Sequence, residues 1–182
     1  MEVRACAFTG HRPKKLPWRY DEGDPACVAL KNLLAEKIGE LAEQGVRHYL
    51  SGGAEGTDMY CSLAVLALRD KLPDIKLHCI LPCKSQAKKW SLTSQKTYYE
   101  ILDQADSIVY VNREETRACM LERNRFLVAY SSILLAVHNG DYRSGTAATV
   151  RYARKLGREI YIVHPSTLEI SHEDTKLSLG NP

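Results

Sequence analysis

The chain has 182 residues, of which 45% are hydrophobic and 26% charged, and its formal net charge is +3. That length suits one domain with a proper core, and that charge is too small to argue by itself for nucleic acid or a membrane surface. No apolar run reaches the roughly eighteen residues that a membrane helix needs. The opening MEVRACAFTG reads as a first strand rather than a secretion signal, so a cytoplasmic chain without membrane contact is expected.

Residues 3–8 are a short apolar run that predicts a strand, turned at Thr9 and Gly10. Over 25–44, Val28, Leu30, Leu33, Leu34, Ile38, Leu41 and Ala42 recur near helical period, with Pro25 suited to the first turn and Gly45 to the stop. Residues 46–50 predict a second strand and 57–72 a second helix. A third strand over 75–81 ends at Pro82, and a helix over 94–105 leads to a fourth strand over 107–111. A helix over 119–130, a strand over 132–137, a helix over 145–156 and a last strand over 159–163 complete the pattern. Residues 166–182 are polar and aperiodic and are expected to form a C-terminal tail outside a domain made of 1–165.

Strands separated by helices predict the α/β class: a three-layer Rossmann-like domain with a mainly parallel sheet flanked by helices. The segments 108–111 and 133–137 are apolar throughout, as strands buried on both faces should be. The six cysteines, Cys6, Cys27, Cys61, Cys79, Cys83 and Cys119, lie mainly in apolar surroundings and read as reduced, buried thiols. Cys79 and Cys83 lack a second pair and a histidine at zinc spacing, so no metal site is expected.

In such sheets ligands bind beyond the carboxyl ends of the strands, which directs attention to the loops there. After the second strand comes Ser51-Gly52-Gly53-Ala54-Glu55-Gly56-Thr57-Asp58, opening a helix. Its glycines allow close backbone approach, and free amides at a helix N-terminus suit phosphate. Ser51 and Thr57 add hydroxyl donors. The plainer reading is a tight turn capped by Thr57 or Asp58, and Glu55 counts against a phosphate directly beneath it unless its side chain turns away. After the first strand, Thr9-Gly10-His11-Arg12-Pro13-Lys14-Lys15 offers Arg12 as a two-pronged anion ligand, with His11 read as a hydrogen-bonding residue before an acid or base. Arg123 and Asn124 are placed on the cleft side of their helix, with Phe126, Leu127 and Ala129 towards the core. The loop 138–146, with Gly140, Ser144, Gly145 and Thr146, opens another helix and is a second anion cradle.

Taken in order, Thr9-Gly10-His11-Arg12-Pro13, Ser51-Gly52-Gly53-Ala54-x-Gly56-x-Asp58, Arg123-Asn124-Arg125 and Ser144-Gly145-Thr146 resemble the SLOG superfamily, and within it the YpsA/YoqJ-like family. The resemblance implies a Rossmann-like fold that binds or senses a nucleotide-derived anion, such as ADP-ribose, NAD or a nucleoside phosphate. It implies no required cofactor, and it makes homo-oligomerisation an expectation. Two better-known branches supply rivals. The phosphoribohydrolases called LOG are similar in Met120-x-Glu122-Arg123 and Gly145-Thr146, but carry a glutamate two to three residues after the Gly-Thr pair. Here Ala148 and Thr149 stand there, so the carboxylate that would serve the sugar centre is missing unless Asp58 or Asp141 substitutes. The DprA branch, which binds single-stranded DNA, is similar in the Ser51-Gly52-Gly53 loop, Arg123-Asn124-Arg125 and Ser144-Gly145-Thr146. Against it, the chain lacks a continuous basic stripe with interleaved aromatics.

Overall fold

A computed structural model describes residues 4–174. Seven strands, β1 (Ala5–Gly10), β2 (His48–Ser51), β3 (Lys76–Leu81), β4 (Ser107–Tyr110), β5 (Ile133–Val137), β6 (Glu159–Val163) and β7 (Ile170–Glu173), form one sheet in the order β4-β3-β2-β1-β5-β6-β7. The first six are parallel, and β7 runs antiparallel to β6. Five helices connect them: α1 (Pro25–Glu43), α2 (Thr57–Arg69), α3 (Leu92–Gln104), α4 (Cys119–Ala129) and α5 (Gly145–Lys155). This is the three-layer Rossmann-like α/β arrangement that the alternation predicts. Among the described residues, no helix is long and apolar enough to cross a membrane.

The period of two along each strand sorts the core into two layers. On β1, Cys6 and Phe8 face one side and Ala5 and Ala7 the other. On β5, Ile133, Leu135 and Val137 join the first side, and Leu134 and Ala136 the second. The first side packs under α1, α2 and α3 through residues such as Leu34, Val65 and Ile101. The second packs under α4 and α5 through Leu127, Val128, Val150 and Ala153. Ala129, placed on the core side by the sequence pattern, is exposed, and Val128 takes that role. The chain grows outward from β1 to β4, then returns to the other side of β1 with β5. The carboxyl ends of β1 and β5, paired at Gly10 and Val137, are therefore the switch point where such sheets open a crevice.

Two expectations are corrected. β4 is apolar, as a strand buried on both faces would be, but Ile108, Val109 and Tyr110 are 41%, 38% and 39% exposed. It is the edge strand, and hydrophobicity along a strand does not report its place in the order. Residues 170–173, expected in a polar tail, form β7. Its stability comes from elsewhere in the chain: its backbone pairs with β6, His172 stacks on Tyr161 at 4.3 Å, and Glu173 accepts from Arg154 Nη2 and Nε at 2.6 and 2.8 Å. Residues 175–182 of that tail lie outside the described residues.

All six cysteines are free and buried. Burial pushes the Cys79 thiol up to about 12 and the Cys6 and Cys61 thiols well above their ordinary value. The thiolate is the reactive form. A colorimetric thiol titration should therefore find no rapidly reacting cysteine in the folded protein and six after unfolding in guanidinium; rapid reaction of several native thiols would contradict this.

Candidate anion-binding site

The loop after β1 is welded to the loop after β2. Gly10 lies so close to the Thr57 side chain that a Cβ there would overlap it. The Thr57 hydroxyl donates to the His11 carbonyl at 3.1 Å. Gly56 has φ +85, and an added Cβ would meet the His11 carbonyl at 2.8 Å, so both its conformation and its neighbours demand glycine. The β5 loop is tied to the same place. His11 Nε2 lies 2.8 Å from Asn139 Oδ1, and Lys15 pairs with Asp141 at 2.7 Å. Burial lowers the His11 pKa, which favours its neutral form. His11 thus acts as a strut between loops.

These loops, with α4, enclose a cavity of about 360 Å³ over the ends of β1 and β5. Of the residues singled out in the sequence, Thr9, Gly10, His11 and Arg12 line it from β1, and Asp58 from α2. Arg123 and Asn124 line it from α4, and Ser144, Gly145 and Thr146 from the start of α5. Ser144 caps α5 by accepting from the Ala147 amide at 3.0 Å, while the Gly145 and Thr146 amides have no acceptor within the helix. Lys14, Lys15, Ala54 and Met120 also line the cavity. The two lysines were legible only as basic residues of the loop after β1, and Met120 only through its place in Met120-x-Glu122-Arg123.

Ser51, Gly52, Gly53, Gly56, Thr57 and Gly140 do not line it. Ser51 is buried within its loop, where its hydroxyl accepts from the Gly53 amide at 3.2 Å and from Ser62 at 2.7 Å. Gly53, with φ +65, turns its Cα towards Leu81 and Tyr98 in the core, not towards the cavity. A side chain there would strain the backbone and overlap the core. Gly140 sits on the outer turn of the β5 loop with nothing near its Cα. Asp141 is held by Lys15 and by the Arg143 amide at 3.1 Å and does not line the cavity, so it does not replace the missing glutamate.

Charge is unevenly placed around the cavity. Arg123 is only 4% exposed. Its Nη1 donates to the Gly52 carbonyl, its Nε donates to Asn124 Oδ1 at 2.8 Å, and its Nη2 meets only the Met120 sulfur, at 3.8 Å. Arg12 likewise donates from Nη2 to that sulfur at 3.5 Å. Among the described residues, no carboxylate is within ion-pair distance of either guanidinium. Burial lowers the Arg123 pKa, and the charge of the nearby Asp58 opposes that shift. Among the described residues, Asp58 is the one carboxylate lining the cavity; its Oδ2 accepts from the Ala54 amide at 3.2 Å. Burial pushes its carboxyl above the usual 3.8, while the Arg123 charge and the Ala54 amide pull it down.

The sign of that shift yields a test. A carboxyl whose pKa is raised by folding holds its proton to higher pH than in the unfolded chain, so folded-state stability is lost as pH rises above the ordinary carboxyl range and the buried group is forced to carry its charge. A phosphate in the cavity adds to that cost. Asp58→Asn should therefore bind a phosphate ester at least about tenfold more tightly at pH 7, with the gap closing as pH falls towards the carboxyl range. Titration calorimetry across pH decides it, and weaker binding by the variant would mean that Asp58 contacts the ligand.

Comparison with known proteins agrees with this architecture. The model of the YspA SLOG family matches residues 6–168. The uncharacterised SPbeta prophage-derived protein YoqJ of Bacillus subtilis is 32% identical over 157 residues, covering 78% of this chain and 91% of that protein. A UPF0398 protein of Halalkalibacterium halodurans is 28% identical over 179 residues, covering 94% of each chain. Among solved structures, DNA processing protein A from Helicobacter pylori, described by its single-stranded DNA binding mode, superposes with a TM-score of 0.59 at 20% identity. The superposition covers 97% of this chain and 71% of that one, and it speaks for the fold. With a family model spanning nearly the whole described domain and a relative above 30% identity, the chain belongs to the YspA SLOG family.

Proposed function

We propose that this domain binds or senses a small nucleotide-derived anion, of the kind of a nucleoside phosphate, NAD or ADP-ribose, in the cavity over β1 and β5. The observation that carries the reading is Arg123. A guanidinium this buried needs acceptors for its N–H groups and a counter-charge. The protein supplies acceptors to Nη1 and Nε but leaves Nη2 on a thioether at the cavity wall. Arg12 and the opening amides of α5 face the same space, an arrangement suited to phosphate oxygens.

A thermal-shift screen with AMP, NAD, ADP-ribose and an oligothymidine tests this. A ligand present at a hundred times its Kd stabilises the folded state by about 2.7 kcal/mol, which for a chain of this size raises Tm by roughly 5–10 °C. Stabilisation by one of the nucleotides supports the proposal, and no shift with any of them overturns it. Stabilisation by the oligonucleotide alone would move the reading to single-stranded DNA.

Hydrolysis of a nucleotide is the weaker reading. The first turn of α5 carries Ala147, Ala148 and Thr149 where the related phosphoribohydrolases hold their carboxylate, and Asp58 is already engaged with the Ala54 amide. Electrostatic stabilisation of the charge developing on the sugar is thus absent from α5. AMP incubated with the protein should release no free adenine by chromatography. Turnover near one per second or faster would show that Asp58 does the work after all.

A further inference from the structure

We infer that the ligand is bipartite, and that its second half is a nucleoside held in a neighbouring cavity by Glu55 and Trp90. This deepens the proposal above and rests on it. The second cavity, of about 480 Å³, shares Arg12 and Lys14 with the anion site and continues over Glu55, Lys89, Trp90 and Tyr20. The two spaces thus border on the same Arg12–Lys14 segment, which contributes cations to the lining of both.

Glu55 carries the argument. It is only 8% exposed, yet among the described residues its carboxylate takes no hydrogen bond and no ion pair. Buried carboxylates are normally satisfied by donors. Here the oxygens open onto a cavity, and the cations lining that cavity stay beyond ion-pair distance. A phosphate beside Glu55 would be repelled, so the group that fits is neutral and rich in donors. A ribose diol presents two hydroxyls to one carboxylate, the contact by which an acidic residue holds the sugar in dinucleotide-binding sheets.

Trp90 supplies the complementary surface. Tyr98 packs against it at a steep angle, with ring centroids 5.3 Å apart and planes at 81°, and the half-buried indole lines the wall of the second cavity. An aromatic face on the wall of a half-open cavity suits a stacked base. Phosphates bound over α5, a bridge across Arg12 and Lys14, and a nucleoside on Glu55 and Trp90 together describe a dinucleotide-like molecule in which a diphosphate joins two sugar-bearing halves.

The test compares ADP-ribose, which can fill both cavities, with ribose 5-phosphate, which fills only the first. Affinities are measured by calorimetry on the wild type and on Glu55→Ala, Glu55→Gln and Trp90→Leu, the last of which removes the aromatic face. The wild type should bind ADP-ribose at least about tenfold more tightly than ribose 5-phosphate, and ADP-ribose alone should change the fluorescence of Trp90. Each variant should shrink that preference to about threefold or less while its affinity for ribose 5-phosphate stays unchanged. A preference retained in Glu55→Ala and Trp90→Leu, or ribose 5-phosphate bound as tightly as ADP-ribose by the wild type, overturns the second subsite and leaves the anion site standing. Failure of the wild type to bind either compound overturns the anion site and the bipartite ligand together.

Discussion

Arg123→Met should weaken binding of ADP-ribose by roughly thirtyfold or more while leaving the fold intact. Truncating one partner of a buried, hydrogen-bonded charge pair costs about 2–5 kcal/mol, and the ligand phosphate is the partner that this guanidinium lacks in the free protein. The effect on stability is smaller. The Gly52 carbonyl that Arg123 bonds also accepts from Gln86 Nε2 at 3.2 Å, so it keeps a donor in the variant. Removing a buried cation with no carboxylate in contact also relieves a desolvation penalty. Net destabilisation should therefore stay within about 1–3 kcal/mol. Arg123→Lys should rescue binding only in part, because an ammonium cannot bond Gly52, Asn124 and the ligand through one planar fork. Calorimetry with ADP-ribose and urea unfolding of each variant measure the two effects separately. A folded Arg123→Met protein with wild-type affinity would remove the basis for placing the anion here.

Adjacent glycines should separate binding from stability. A methyl group on Gly52 would overlap the Arg123 guanidinium and meet Asp58 Oδ2 at 2.8 Å. The backbone there is not left-handed, and the far end of an arginine can move, so Gly52→Ala should fold. Its arginine, however, should be driven off the Gly52 carbonyl and out of register with the cavity. Loss of affinity should approach that of Arg123→Met. Gly53→Ala should behave in the opposite way. At φ +65 an alanine is strained by about 1–2 kcal/mol. Its Cβ would also meet Leu81 at 2.8 Å and Tyr98 at 3.2 Å, which adds the cost of overpacking. Tm should fall while the affinity of the remaining folded protein changes little. Equal loss of affinity in both variants would show that the loop, rather than Arg123, holds the ligand.

The two substitutions mark where sequence reasoning reaches its limit. Helical period from Leu30 to Ala42, the apolar run at 133–137 and the stop glycines at 45 and 157 all report local preferences, and each element they predict is present. The loops after β1 and β5 likewise come together, since these two strands meet at the switch point. The motif glycines in 52–56 were visible as a set, yet the set does not say which neighbour each one spares. Gly52 makes room for an arginine from α4, 71 residues away, Gly53 for the core, and Gly56 for the β1 loop.

Only the tertiary structure decided matters that depend on partners distant in the chain. β4 is exposed because it ends the sheet, with β3 as its one neighbour among the described strands, and nothing in Ser107–Tyr110 records that place. β7 forms from a polar segment because β6, Tyr161 and Arg154 are there to receive it. Glu55, which in the sequence argues against phosphate, faces a different cavity from Arg123 because the welded loops place Arg12 and Lys14 between them. The sequence by itself determined the elements, the family and the loops that enclose the candidate cavity, since periodicity, turn residues and ordered motifs are local properties. The strand order, the open face of Arg123 and the unpartnered carboxylate of Glu55 arise from non-local packing, in which a side chain's charge matters only through the acceptors and donors that the fold brings to it or withholds.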